Sequence, residues 1–259
     1  MKQFIKMSFV DFKGHLGPFR LEEFLTLNIL NPFLTLVFYC LLAGYTYKTS
    51  DLTSWVIGNS FLLCTSVCIF SLGIVFTREK QCGRIRSIIC SPLSKLQIML
   101  QKGFFPCLVC ILTTLVGFLL GGVFFHVPLG KIHWGLYGCI LGVAMVGACS
   151  FGLAIGAIGL LTDQMHLILN TVSAVMLIFT GTNFPVAQLP FWGRGIAKVL
   201  PLTRSVEAAK LLCDDFTMEQ IMRLLLGEVL LSVCYLIIAR LILVYAEHKA
   251  IKEGTLELF

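Results

Sequence analysis

Few residues of this chain combine a type and a spacing that could do chemistry. His166 and Asn170 stand one helical turn apart, an arrangement able to hold and polarise a water molecule. Cys64 and Cys68 share a helix face, and Cys107 and Cys110 nearly do, as thiolate ligands of zinc would. Neither pair has a His or carboxylate in its own segment. Most of the eleven cysteines lie in apolar runs, where Cys packs as a small hydrophobe. No G-x-x-x-x-G-K-[ST] loop is present, so the chain does not hydrolyse ATP by that route, and G-x-S-x-G and H-E-x-x-H are missing too. Two charges lie deep in an apolar run, Glu228 and Arg240. Twelve residues of helix place them about 18 Å apart, too far to pair. Arg240 can snorkel to the nearer surface, and Glu228 must face another helix or a wet cavity.

The elements that would hold these residues follow from composition. Of 259 residues, 57% are hydrophobic and 13% charged, with a net charge of +6. The mean hydropathy is +0.89. A soluble domain carries about 25% charged residues, so half that charge excludes a water-soluble enzyme of this size. The hydrophobicity excludes disorder. An all-α integral membrane protein remains. The opening MKQFIKMSFVDFKGHLG does not read as a cleaved leader, because charges interrupt its apolar residues. A bilayer core of about 30 Å needs roughly 20 apolar residues in a helix. Six stretches qualify, at 24–47, 52–76, 103–127, 134–161, 167–186 and 221–246. With an inner N-terminus, twelve Lys and Arg fall on the inner side (in 1–23, in 77–102 and after the last span) against six outside. The bias predicts that both termini are cytoplasmic in a multi-pass protein of the cell inner (plasma) membrane.

Three segments between the spans carry their own patterns. In residues 1–23, Ile5, Phe9, Phe12 and Leu16 recur at helical spacing opposite Lys6 and Lys13, which predicts an interfacial amphipathic helix ended by Gly17-Pro18. The inner loop 77–102 places Ile85, Ile88 and Ile89 on one face. It then offers Ser91 as an N-cap and Pro92 as a first helical residue. Leu93, Leu96 and Leu100 continue a stripe, so the loop reads as two helices broken at Ser91-Pro92, with a basic face for lipid head groups or a cytoplasmic partner. The outer segment 187–220 is too polar to span and reads as two short amphipathic helices broken at Pro201, re-entrant into the outer leaflet. In the fourth span, Gly152, Gly156 and Gly159 fall on nearly one face, as close helix packing requires.

Taken together, the pattern resembles the membrane subunit of a type-2 ABC exporter, the ABC-2 permease family. The amphipathic N-terminal helix leads to a first span containing Asn31-Pro32. The inner REKQCGRIRSIICSPLSK is similar to the family's E-x-G-(T)-x-E…(T/S)-P-L-S stretch. The outer NFPVAQLPFWGRGIAKVLPLTRSVEAAK is similar to P-x-x-x-L-P-x-W…x-P-L-T-x-x-x-E-A-x-(R), matching at Pro185, Leu189, Pro190, Trp192, Pro201, Leu202, Thr203, Glu207 and Ala208. The resemblance covers nearly the whole chain. It departs at Arg84–Arg86, where the family's inner motif ends in an acid, and at Lys210, where Arg is common.

The resemblance implies a transport subunit without an ATPase site or cofactor of its own, ATP and Mg being bound by a partner ABC ATPase at the inner face. It implies a homodimer or a heterodimer with a second permease, in contact with membrane lipid and with no nucleic acid. A coupling helix at Glu79–Ser91 would sit in a groove of the ATPase, through Glu79, Gly83, Arg84, Arg86 and Pro92. The first, second and fifth spans would line the substrate path, offering Asn28, Asn31, Asn59, Asn170, Ser173, Phe179, Thr180 and Asn183. Residues 179–185 would form an outer gate. An amphipathic small molecule or peptide, of drug, antibiotic or lantibiotic type, is the cargo expected; a polysaccharide or lipid-linked glycan is the alternative. Two other classes stay open: a secondary transporter, against which stands the lack of midplane Asp or Lys and of matching halves, and an immunity or assembly protein that transports nothing. His166 and Asn170 resemble the H-x-x-x-N element of intramembrane CAAX-type proteases, a resemblance that would also imply paired glutamates with an arginine close behind. Glu22-Glu23 is followed by FLTLN, which contains no Arg.

Overall fold

Long apolar runs fold as helices because a helix satisfies each backbone N–H and C=O within itself, which lipid cannot do for it. The computed structural model describes residues 2–16, 26–49, 51–83, 95–127, 130, 133–162, 164–212 and 217–252, and the regular structure among them is helical. Helix α1 is Lys2–Leu16; a π-helical turn, Thr26–Leu30, leads into α2, Asn31–Tyr47. Then follow α3, Thr53–Gln81, α4, Lys95–Phe124, and α5, Trp134–Ile158. Helix α6, Met165–Phe179, precedes the short pair α7, Phe191–Val199, and α8, Thr203–Leu211, which lie either side of Pro201. Helix α9, Met218–Lys252, is the longest.

Four of these helices are long and apolar enough to cross a membrane: α3, α4 from Leu100, α5, and α9 as far as Ala246. Helices α2 and α6 have 17 and 15 residues. At 1.5 Å per residue that is about 25 and 22 Å, less than the hydrocarbon thickness. Each continues in other backbone, α2 backward through the π turn and α6 forward through 180–185, where Gly181 takes φ 77°. Both flanking helices extend into the segment 77–102. Helix α3 runs on to Gln81 and α4 is already formed at Lys95, because both ends bury apolar residues against neighbours. Gly83, at φ 66°, stops α3: the Cys82 N–H donates to Arg78 O at 2.9 Å and the Gly83 N–H to Lys80 O at 3.0 Å. The break expected at Ser91-Pro92 lies outside the described residues.

Helices α3, α4 and α5 form the centre, with α9 laid along α5 and α8 wedged against α3, α5 and α9. Helix α1 rests on the start of α4 through ring contacts of Phe4 with Phe104 and of Phe9 and Phe12 with Phe105. Toward the start of α5, Tyr137 stacks on Phe118 at 4.8 Å and meets Phe61 edge-on at 5.7 Å, all three buried. In its last two turns α5 meets α3 with almost nothing between them. A Cβ on Gly156 would stand 2.6 Å from the Leu72 carbonyl oxygen, and one on Gly152 3.3 Å from that of Cys68. Glycine is what lets the two backbones touch.

Candidate functional site

Three polar clusters interrupt this apolar framework. The first lies where α3 gives way to α4. Lys102 Nζ sits 2.9 Å from Glu79 Oε1 and 3.0 Å from Asp11 Oδ2, and both Lys102 and Glu79 are buried. Ser8 Oγ of α1 donates to the Gln101 carbonyl at 2.9 Å. An ion taken from water without its partner costs several kcal/mol, so each of these charges depends on the others. The cluster thereby ties α1 and the last turn of α3 to the first turns of α4. Of the residues expected to couple to a partner, Glu79 faces this interior cluster and Gly83 is exposed. Arg84, Arg86 and Pro92 lie outside the described residues.

The second cluster lies at the end of α6. Asn59 Nδ2 donates to Asn183 Oδ1 at 3.2 Å and to the Trp55 carbonyl at 3.0 Å. Thr180 Oγ1 donates to Met176 O at 2.6 Å and lies 3.2 Å from Thr182 Oγ1. Thr182 Oγ1 in turn donates to the Gly58 carbonyl at 3.4 Å. Lys210 enters from α8, its Nζ donating to Gly181 O at 2.8 Å and Thr182 O at 3.0 Å. The ammonium therefore caps carbonyls left over where α6 ends, a favourable site for a cation. Burial pushes the Lys210 pKa down to about 8. Gly58 makes room for this contact, since a Cβ there would stand 3.1 Å from Thr182 Cγ2 and 3.2 Å from Lys210 Cε. Phe179 meets Trp192 of α7 edge-on at 5.8 Å, beside the cluster.

The structure thus joins Asn59, Thr180 and Asn183, with Phe179 adjoining, and leaves the other expected path residues apart. Asn170 is exposed on α6, Ser173 has a buried hydroxyl without a hydrogen-bond partner among the described residues, and Asn31 is exposed at the start of α2. The side chain of Asn28 lies outside the described residues. Among the residues of the 185–207 pattern, Pro185 and Pro190 are exposed and precede a 3-10 turn and α7; Pro201 is buried between the short helices, and Glu207 is exposed. Arg194 Nε donates to Leu189 O at 2.9 Å and its Nη2 to Ala187 O at 2.6 Å, closing the turn before α7.

The third cluster surrounds Glu228, fully buried on α9. Its Oε1 accepts the N–H of Leu202 at 2.6 Å, at the residue that precedes α8 and holds φ 71°. Arg204 of α8 is close enough to act on the carboxylate through both its backbone amide and its charge. Arg240 is exposed farther along α9. Sequence reading marked Glu228 without a partner and did not pick out Lys102, Asp11 or Thr182 as members of a site. The available signal was a lysine inside an apolar stretch, at Lys102 in LQIMLQKGFFPCLV. Among the described residues, no group of three or more His, Cys, Asp or Glu could hold a metal ion.

Among the described residues the regular structure is helical and four helices are long and apolar enough to cross a membrane, as in a multi-pass membrane protein. Residues 19–211, which carry α2 through α8 and every expected site residue, match the ABC-2 type transporter family, and the chain belongs to that family. It is the transmembrane permease part, as distinct from the ATPase with which members of the family normally work. A comparison with curated proteins finds no match.

Proposed function

We propose that the chain is the permease of an ATP-driven exporter, working as a homodimer or heterodimer on a separate ABC ATPase. It crosses the inner (plasma) membrane six times with both termini cytoplasmic; α2 and α6 make the two short crossings by recruiting the π turn and residues 180–185. The family match over residues 19–211 carries this reading. The connection 82–94 contacts the ATPase, and α1 lies on the cytoplasmic surface of the bilayer. Helices α7 and α8 re-enter the outer leaflet, where the exposed Phe191, Trp192 and Val199 meet lipid.

On this reading the cluster of Asn59, Thr180, Thr182, Asn183 and Lys210 is the outer gate. Its hydrogen bonds close α6 against α3 and α8 and can be exchanged for bonds to a passing molecule. The face of α6 that leads to it carries Leu167, Asn170, Thr171 and Ile178 exposed, single polar groups among apolar ones. That mixture suits an amphipathic small molecule or peptide better than a glycan, which asks for a continuous run of hydroxyl partners. Co-reconstitution with a candidate ATPase tests the proposal. ATP-dependent uptake of an amphipathic substrate into inside-out vesicles is expected, together with stimulated ATP hydrolysis. A chain that neither binds the ATPase nor changes its turnover would overturn the reading.

A further inference from the structure

Glu228 is an acidic residue buried within the apolar part of α9, and neither the ATPase contact nor the gate uses it. Its position on α9, ten residues after Met218, is about 15 Å along the helix. A carboxylate at that depth is expensive unless charge or N–H donors meet it. The donors come from the start of α8. Leu202 N–H donates to Oε1 at 2.6 Å, and the charge of Arg204, two residues on, also acts on the carboxylate. The Leu202 amide is one of the N–H groups that a helix start leaves without intrahelical partners, at the positive end of its dipole.

Two glycines make room for the arrangement. A Cβ on Gly147 of α5 would stand 2.9 Å from Glu228 Oε1. A Cβ on Gly227 of α9 would stand 3.0 Å from Arg204 Cδ and Nε, so the arginine lies across α9 beside the carboxylate. Leu202 accepts a left-handed backbone, φ 71°, a conformation that costs a branched side chain energy and persists only where the surroundings impose it. Further buried polar atoms without a partner among the described residues gather on the same stretch: Thr203 Oγ1, Ser205 Oγ, Arg204 Nη1 and Glu228 Oε2. Packing of Val206, Ala208 and Ala209 holds α8 against its neighbours, and Glu228 supplies the polar contact to the Leu202 N–H at its start.

We propose that Glu228 is a positioning residue: from α9 its carboxylate caps the start of α8 within the apolar layer, and so fixes the α7–α8 segment, with Lys210 at its far end, against the last long helix. The importance of this cap for transport rests on the permease reading, but the cap itself does not, and its test needs neither ATPase nor substrate. Hydrogen exchange of the full chain in lipid nanodiscs, read by mass spectrometry, compares wild type with Glu228→Leu and Glu228→Gln. The leucine variant is expected to raise exchange of amides in 200–212 by about tenfold or more, the factor for a lost hydrogen bond to a charged group. Peptides of α3 and α5 should stay within about twofold. The glutamine variant, which keeps an acceptor without the charge, should fall between the two, and it carries the test alone if the leucine variant does not fold. Equal exchange of 200–212 in wild type and variants overturns the proposal. So does a rise spread evenly over α3, α5 and α8, which would make Glu228 a general packing residue.

Discussion

Replacing Gly156 by alanine puts the contact between α3 and α5 to a quantitative test. The added Cβ would lie 2.6 Å from Leu72 O and 3.2 Å from Phe76 Cδ2, where ordinary contact begins near 3.4 Å. About 0.8 Å of separation must therefore open, and the obstacle is a backbone carbonyl in mid-helix, which has no rotamer to change. Overpacking of this kind costs about 1–3 kcal/mol, with the upper part of that range applying where neighbours cannot give. Against it stands the helix preference of Ala over Gly, about 1 kcal/mol. The net expectation is a loss of about 1–2 kcal/mol, or several degrees at most in the melting midpoint for a chain of this size. Gly138, on the same helix, is the control: a Cβ there meets nothing within 4 Å, so Gly138→Ala keeps only the gain in helix preference. Unfolding in mixed detergent micelles, followed by far-UV circular dichroism, measures both. If Gly156→Ala proves as stable as Gly138→Ala, the two backbones are not in contact and the account of the α3–α5 seam is wrong.

Other expectations follow from the clusters. Lys102→Met should destabilise by about 1.5–3 kcal/mol, the worth of hydrogen bonds to charged groups, because it removes a buried ion pair with Glu79 and one with Asp11; with Glu79→Leu it should show a coupling of about 0.5–3 kcal/mol in a double-mutant cycle in the same micelle assay, and additive effects would mean that the two charges do not depend on each other. Asn59→Ala and Asn183→Ala should show a coupling of about 0.5–1.5 kcal/mol in a double-mutant cycle, whereas additive effects would deny their hydrogen bond. Lys210 gives a dependence on pH. Its amine loses a proton from about pH 8 in the folded chain, against a reference value of 10.5 for a free side chain. Across that window the unfolded state binds more protons, so this group makes stability rise with pH. Lys210→Met should remove that part of the slope between pH 7.5 and 10, and an unchanged slope would place the titration elsewhere.

What sequence reading could reach was whatever local spacing encodes. Gly83 was legible as part of a motif, and its left-handed backbone at the end of α3 supplies a physical reason for glycine there. Asn59, Thr180 and Asn183 follow from the family resemblance as residues of the second and fifth spans, but their meeting does not, since it depends on where α6 stops and how the chain turns at Gly181. The early end of α6 at Phe179 escaped hydropathy because the apolar run 165–179, with Phe184 and Val186, carries a window average across the polar residues 180–183, where the helix has already ended. Glu228 announced itself by its cost in an apolar run. Its partner, a backbone N–H at Leu202, has no signature in residue type at all. Lys102 was read as one more basic flank, because the acids that meet it, Asp11 and Glu79, stand 91 and 23 residues away in sequence.

Where α3 and α5 touch backbone to backbone, no layer of side chains separates them. Side-chain layers act as lubricant: they let helices slip by exchanging rotamers. A dry seam of carbonyl against glycine cannot slip a fraction of a turn without collision. Helices α3 and α5 are therefore pinned to each other where Gly152 and Gly156 meet the Cys68 and Leu72 carbonyls, and any relative motion of the two has to pivot there. Toward Asn59 and Gly58 the same two helices meet instead through rings, Phe61 edge-on against Tyr137, and that end can give where the seam cannot.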